Sequence, residues 1–178
     1  MTVLRGSAFV LALLTTGCGY SLAGRGAFLP PHIMSVGIPT FANRTTVFNL
    51  ETLLTEKVRS EFIGRGKYQV FPQGTGVDAV LIGDISSVAV VPASFNSQQL
   101  ASRYVITVTA SIQLRDVADN KVLWENPNLV FRQEYEATTS SAIAAVDPNA
   151  FLSQESNALE RVGTEFARSV VSVILEAF

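Results

Sequence analysis

The sequence predicts an α+β fold: a two-layer sandwich in which two amphipathic helices cover one face of a mostly antiparallel sheet of four to five strands, in the order β-α-β-β-β-β-α. Three observations lead there. Between Tyr104 and Leu114, apolar and polar residues alternate with period two, as in a strand with one buried face. Two other segments repeat apolar residues at helical spacing, each along a single stripe. The chain has 178 residues, 48% hydrophobic and 16% charged, which suits one folded domain and excludes disorder as its main state.

The chain opens with a short leader. Arg5 supplies one positive charge, Gly6 to Leu14 is apolar, and Thr15-Thr16-Gly17-Cys18 follows. So short a run cannot cross ~30 Å of hydrocarbon, which takes about 20 helical residues. It reads as the core of a secretory signal peptide over residues 1–17. A thiol directly after small residues at the end of such a run is the bacterial lipobox pattern. Thr15 stands where Leu is usual, with Leu14 one step earlier. The expectation is that Cys18, the single cysteine, carries a diacylglycerol thioether and an N-acyl chain, with no other cofactor. Acyl chains contributing ~0.8 kcal/mol per buried CH2 would anchor the protein stably. Gly19, rather than Asp, follows the cysteine and points to the outer membrane, on its periplasmic face. The alternative is a free cysteine that packs as a small apolar group. Residues 18–31 form the lipidated N-terminus and a tether ending at Pro30-Pro31, and 32–178 form a single α/β lipoprotein domain. The eleven residues Gly19 to Leu29 reach at most about 40 Å when fully extended.

Within the domain, Ile33 to Ile38 is a short strand closed by Pro39. Thr45, Thr46 and Asn49 offer oxygens to cap a helix over about 47–63. Leu50, Leu53, Leu54, Val58 and Phe62 share one face of it, opposite Glu51, Thr55, Glu56, Arg59 and Ser60. Gly64 and Gly66 can supply a left-handed C-terminal turn. Tyr68 to Phe71 is a second strand, which a right-handed crossover would make parallel to the first. A turn over 72–78 leads to a long strand from Ala79 to Val91, bulged near Gly83 to Ser87 where its alternation changes phase. Pro92 to Ser102 reads as a polar loop. After the strand at 104–114, residues 116–120 turn and 121–138 return, with a kink at Pro127 splitting that strand. Its Leu129, Phe131 and Tyr135 oppose Arg132, Glu134 and Glu136. Asp147-Pro148 starts a final helix to about Ala177, with Leu159, Val162, Phe166, Val170, Val173 and Ile174 as its stripe.

Little in the chain suggests catalysis. A net charge of −2 argues against nucleic-acid binding, and one Cys with one His excludes a zinc site built from those residues. No motif places a nucleophile beside His32, which reads as an exposed or capping side chain. Gly24-Arg-Gly26, Gly64-Arg-Gly66 and Gly74-Thr-Gly76 lack the third glycine of a nucleotide fingerprint and read as turns. Glu134 and Glu136 share the polar side of a strand, where carboxylates are normally just solvated. Asn43-Arg-Thr45 matches a glycosylation sequon, which a bacterial lipoprotein would not use. One surface stands out. Val105, Thr107, Thr109, Ser111 and Gln113 form a hydrogen-bonding, uncharged strand face. No acid occurs between Asp84 and Asp116, whereas Arg103 and Arg115 do. Such a face suits burial against a polar wall, or an anionic ligand nearby, and equally an ordinary solvated sheet face.

The order of residues resembles the LPS-assembly lipoprotein family (LptE). The residues that carry the resemblance are Cys18-Gly-Tyr-Ser-Leu22, Val36-Gly-Ile-Pro39, Phe41, Asn43-Arg-Thr45, Leu50-Glu51, Arg65-Gly66, Asp78-Ala-Val-Leu81, Gly83 and Val122-Leu-Trp-Glu125. It implies an outer-membrane lipoprotein, not an enzyme, with two helices on a four-stranded sheet. Such a protein plugs the large β-barrel that inserts lipopolysaccharide (an LptD-like translocon) and assists its assembly. The resemblance also makes lipopolysaccharide a candidate ligand. Arg103 is the nearest basic candidate, with Arg115 and Arg132 behind it. Ile38-Pro-Thr-Phe-Ala-Asn43 followed by a helix also resembles a periplasmic docking or scaffold lipoprotein of a secretion complex. A tethered hydrolase is the third reading, and it lacks a base and nucleophile pair.

Overall fold

A computed structural model describes residues 29–65, 67–97, 101–136, 152 and 156–178. The leader, Cys18, Gly66 and Asp147-Pro148 therefore lie outside the described residues. The elements are β1 (Ser35–Gly37), β2 (Ala42–Asn43), α1 (Leu50–Gly64), β3 (Gln69–Phe71), β4 (Ala79–Phe95), β5 (Ala101–Asp116), β6 (Val122–Glu136) and α2 (Ser156–Glu176). The fold is α+β, as the sequence predicts, with six strands rather than four or five. Their order is β3-β1-β4-β5-β6, and β2 lies on the same edge of β4 that β1 uses. The short pairings are parallel and the long ones, β4–β5 and β5–β6, antiparallel.

Strand β5 organises the core. Tyr104, Ile106, Val108, Ala110, Ile112 and Leu114 are all buried, and the residues between them are half-exposed. The helices cover the apolar side. From α1 come Leu50, Leu54, Val58 and Phe62; from α2 come Ala158, Val162, Phe166, Val170, Val171 and Ile174. Phe166 meets Phe131 edge-on with ring centroids 6.0 Å apart, which ties α2 to β6. Gly163 lets the helices approach, since a Cβ there would stand 3.1 Å from Leu53 Cδ2.

Several sequence expectations change on folding. The helix α1 starts later than 47, at Leu50, and its N-cap Asn49 is left-handed (φ 59°) with no side-chain cap. Asn43 does the local work instead: its Oδ1 accepts from Thr45 N at 2.9 Å, and its Nδ2 donates to Val47 O at 2.9 Å. The sequon-like Asn43-Arg-Thr45 is thus a side-chain-closed turn. Thr55, expected on the polar face, is buried, where its hydroxyl accepts from Phe41 N at 3.0 Å and donates to Glu51 O. Leu53 is only half-buried, because it packs between the helices rather than under them. Gly64 takes no left-handed turn, and Arg65 closes the helix in the right-handed region. Val173 is exposed, lying beyond the edge of the contact stripe.

Larger corrections concern the strands. Residues 92–95 do not belong to a loop: β4 runs on to Phe95, and Pro92 pairs with Tyr104. Irregular register around Ser94 absorbs the missing N–H of Pro92. The expected bulge is present, between Ile85 and Ser87. Pro127 does not split β6. It sits in a bulge where Asn126 pairs with Ile112 and Leu129 with Ala110, and Asn128 N is held by Asn126 Oδ1 at 3.0 Å.

Gly83 shows how tightly this core is closed. A Cβ there would fall 2.7 Å from the Phe41 ring. Gly83→Ala should therefore destabilise the domain by about 1–3 kcal/mol, the usual cost of overpacking, in a urea titration followed by circular dichroism. Shortening the ring as well, as in Gly83→Ala with Phe41→Leu, should recover part of that loss.

Candidate functional site

With both helices on one side, the other side of the sheet is bare among the described residues. Its centre is the polar row of β5. Register places Thr107 between Ala89 and Arg132, and Thr109 between Ser87 and Val130. Val105 lies between Val91 and Glu134, Ser111 beside Asp84, and Gln113 between Ile82 and Glu125. The surface is therefore hydroxyl-rich along its axis, apolar at Val91, Val130 and Ile82, and charged mainly at its rim. A shallow depression of about 510 Å³ opens over Val91, Val105, Thr107 and Arg132.

The rim charges are mostly neutralised locally. Asp84 holds Arg44 through a forked pair, with Arg44 Nε 2.8 Å from both carboxylate oxygens. The Asp84 hydrogen bond also raises the Arg44 pKa. Arg103 reaches across to Glu136 at 3.1 Å and Glu134 at 3.8 Å. Arg115 donates to Gln113 Oε1 at 2.7 Å and Asn120 Oδ1 at 3.2 Å, while its Nε is buried without a partner. Arg132 is exposed and makes no ion pair among the described residues. The three arginines do not converge. Arg103 and Arg115 are twelve residues apart on one strand, about 40 Å at ~3.3 Å per residue. Only Arg103 and Arg132 share the same end as Thr107. No group of three or more His, Cys, Asp or Glu side chains is arranged to hold a metal among the described residues. No described helix is long and apolar enough to cross a membrane.

A second polar cluster lies at the end of the sheet where the chain enters the domain. His32 Nε2 lies 2.6 Å from Asp116 Oδ2, and Asp116 is buried. Asp78 Oδ2 accepts from Ser35 Oγ at 2.8 Å, Met34 N at 2.9 Å and Ser35 N at 2.8 Å. Hydrogen bonding to Ser35, then to Met34, holds the Asp78 carboxyl below the usual carboxylate range. The hydrogen bond with His32, then those from Ala118 and Asp119 N–H, hold Asp116 low against the opposing effect of burial. The cluster fastens the entering chain to the start of β4 and the end of β5. Sequence spacing gave no sign of it, because its partners are 84 and 43 residues apart.

Both carboxyls are depressed in the folded state, so their stabilisation is present above the unfolded value of about 3.9 and is lost as pH falls through the lower folded value. The denaturation midpoint should drop below pH ~4. Asp116→Asn should flatten that acid limb while lowering stability at neutral pH.

The LptE family model, described as lipopolysaccharide-assembly, matches residues 33–174. No curated protein matches the sequence at a significant level. Among solved structures, the chain is similar to the PelC dodecamer subunit from Paraburkholderia phytofirmans, at 14% identity over 85% of this chain and 95% of that one, with a TM-score of 0.51. It is also similar to the hypothetical protein CT253 from Chlamydia trachomatis, at 12% identity over 80% and 95%, with a TM-score of 0.53. Rare lipoprotein B from Shewanella oneidensis aligns at 16% identity over 77% and 98%, with a TM-score of 0.37. At these identities the first two likenesses show the fold alone.

Proposed function

The chain belongs to the LptE family of lipopolysaccharide-assembly proteins, and from that premise we propose that it is an outer-membrane lipoprotein, anchored through Cys18, that plugs an LptD-like β-barrel translocon and assists its assembly. The observation that carries this reading is the family match over 33–174, which spans all six strands and α1. The bare sheet face supports it physically. The lumen of a large membrane barrel is polar. A face of Thr107, Thr109, Ser111 and Gln113 offers donors and acceptors to such a wall, and among its described neighbours Arg132 is a charge without an ion pair that the wall or a ligand would have to meet. The protein acts by fitting, and on this reading it performs no chemistry of its own.

Lipopolysaccharide is the second proposed ligand. Its phosphates need a cation that is not already neutralised. Arg132 meets that need better than Arg103, which two glutamates engage, or Arg115, which serves the opposite end of β5.

Affinity purification in mild detergent should recover one large barrel per copy of this chain. Recovery of a ring of identical subunits, with no barrel, would instead support a docking lipoprotein of a secretion complex. Thr107→Asp with Thr109→Lys, both on the bare face, should reduce barrel recovery without changing thermal stability. Mass spectrometry of the mature N-terminus should find Cys18 triacylated. Arg132→Gln should weaken lipopolysaccharide retention several-fold and Arg103→Gln much less; equal effects would remove the special role of Arg132.

A further inference from the structure

The end of the domain where the chain enters carries an unusual share of exposed apolar side chains. Strands β1, β3 and β4 begin there, and β5 turns into β6 there. Both helices end there too: the Phe62 ring of α1 lies 6.4 Å from Tyr68, and Arg65 Nη2 donates to Ser172 Oγ of α2 at 2.8 Å. Leu29 N donates to Tyr68 Oη at 3.0 Å and His32 is fastened to Asp116, so the segment leading back to Cys18 departs from this end. Six of the eleven large apolar side chains exposed among the described residues belong to it. They include Met34 (62% exposed), Ile63 (60%), Val117 (45%) and Phe178 (43%), together with Val122 and Val173. Scattered exposed apolar residues need no explanation, but a concentration at one end does.

The exposed charges of this end are of both signs, and its two strongest acceptors are occupied. Asp78 and Asp116 are engaged internally, by Ser35 and the Met34 amide and by His32. Lys67 and Lys121 stand exposed at this end, as do Asp119 in the hairpin and Glu176 at the end of α2. Lysine stems can lie along an apolar surface and keep their ammonium heads in water. Ten residues, 19–28, lie between Cys18 and Leu29. Fully extended, that length spans at most about 40 Å. An acylated Cys18 would thus hold this end next to a bilayer at high effective concentration, where even weak contacts are populated.

We infer that this end is a lipid-contacting face: Met34 and the hairpin tip from Val117 to Val122 press into the headgroup boundary of the bilayer that holds the Cys18 acyl chains. This inference rests on the acylation of Cys18 proposed above. In the anchored protein before a barrel encloses it, the state that barrel-free vesicles reproduce, this face sets the orientation of the domain, with β4 and β5 running away from the membrane.

The test uses full-length acylated protein, its acylation verified by mass, in vesicles of phosphatidylethanolamine and phosphatidylglycerol. Val117→Cys, at the tip, and Val91→Cys, twelve residues along β4 from Ala79, each receive an environment-sensitive fluorophore. Acylated Cys18 does not react with the label. The expected result is a blue shift and quenching by lipid-borne quenchers at 117 and neither at 91. Adding Met34→Asp should reduce the quenching at 117 while the protein still floats with the vesicles. Equal solvent exposure at 117 and 91 in protein that floats would overturn the inference and leave the anchor intact. Protein that fails to float would overturn the anchor and the inference together. A probe at 117 that is shielded in detergent only when a barrel co-purifies, and stays exposed in vesicles, would assign the face to the barrel and overturn the lipid contact.

Discussion

Six alternate residues of β5, from Tyr104 to Leu114, are closed off from water by α1 and α2, while the five between them remain half-exposed on a side that carries no helix among the described residues. A strand has two faces by geometry, and a slip of one residue would exchange them. The asymmetry of β5 therefore pins the register of β4 and β6, and with it the whole two-layer arrangement. Strand β4 answers with Leu81, Ile85 and Val90 turned inward, and β6 with Phe131 and Tyr135. The bulges at Ser86 and Pro127 keep these inward sets aligned over strands of 15 to 17 residues, where one uncorrected twist or proline would throw them out of phase.

The same asymmetry supplies the surface on which the proposed function rests. A sheet covered on one side only must offer its other side to solvent or to a partner. Here that side is rich in hydroxyls and poor in free charge, because Arg44 and Arg103 each meet carboxylates at the rim. Such a surface can enter a polar cavity with Arg132 as the charge that the cavity or a ligand must meet, and it can also remain wet without cost. That dual character is what a protein needs if it must be stable before its partner exists and then become enclosed.

Two ends of the molecule are chemically distinct. At the entry end, backbone and side-chain hydrogen bonds from Asp78 and Asp116 tie β1, β4, β5 and the incoming chain into one rigid corner. At the far end, Arg103 and two glutamates bridge β5 and β6 beside the tip of the long β4–β5 hairpin.

What local pattern could carry was legible. The period-two run of β5, the single stripe of each helix, and the bulge in β4 follow from spacing alone, and the family resemblance followed from ordered short motifs. The candidate surface of Thr107, Thr109, Ser111 and Gln113 was visible as the other half of the same alternation. Misplaced features depended on partners far away in sequence. Pro92 looked like a strand terminator until Tyr104 supplied the opposite residue and irregular register absorbed its missing donor. Thr55 looked like a solvent-facing residue until the Phe41 amide required an acceptor.

The amino-acid order by itself determined the class of fold, the buried face of β5, most of the apolar stripe of each helix and the expectation of a lipid-modified Cys18, because periodicity and short motifs are properties of neighbours along the chain. Tertiary structure alone decided that Arg103 is held by Glu134 and Glu136, that His32 meets Asp116, and that apolar side chains gather at the end of the sheet where Leu29 and His32 lie. Those are coincidences in space between residues tens of positions apart, and only the closing of the sheet brings them together.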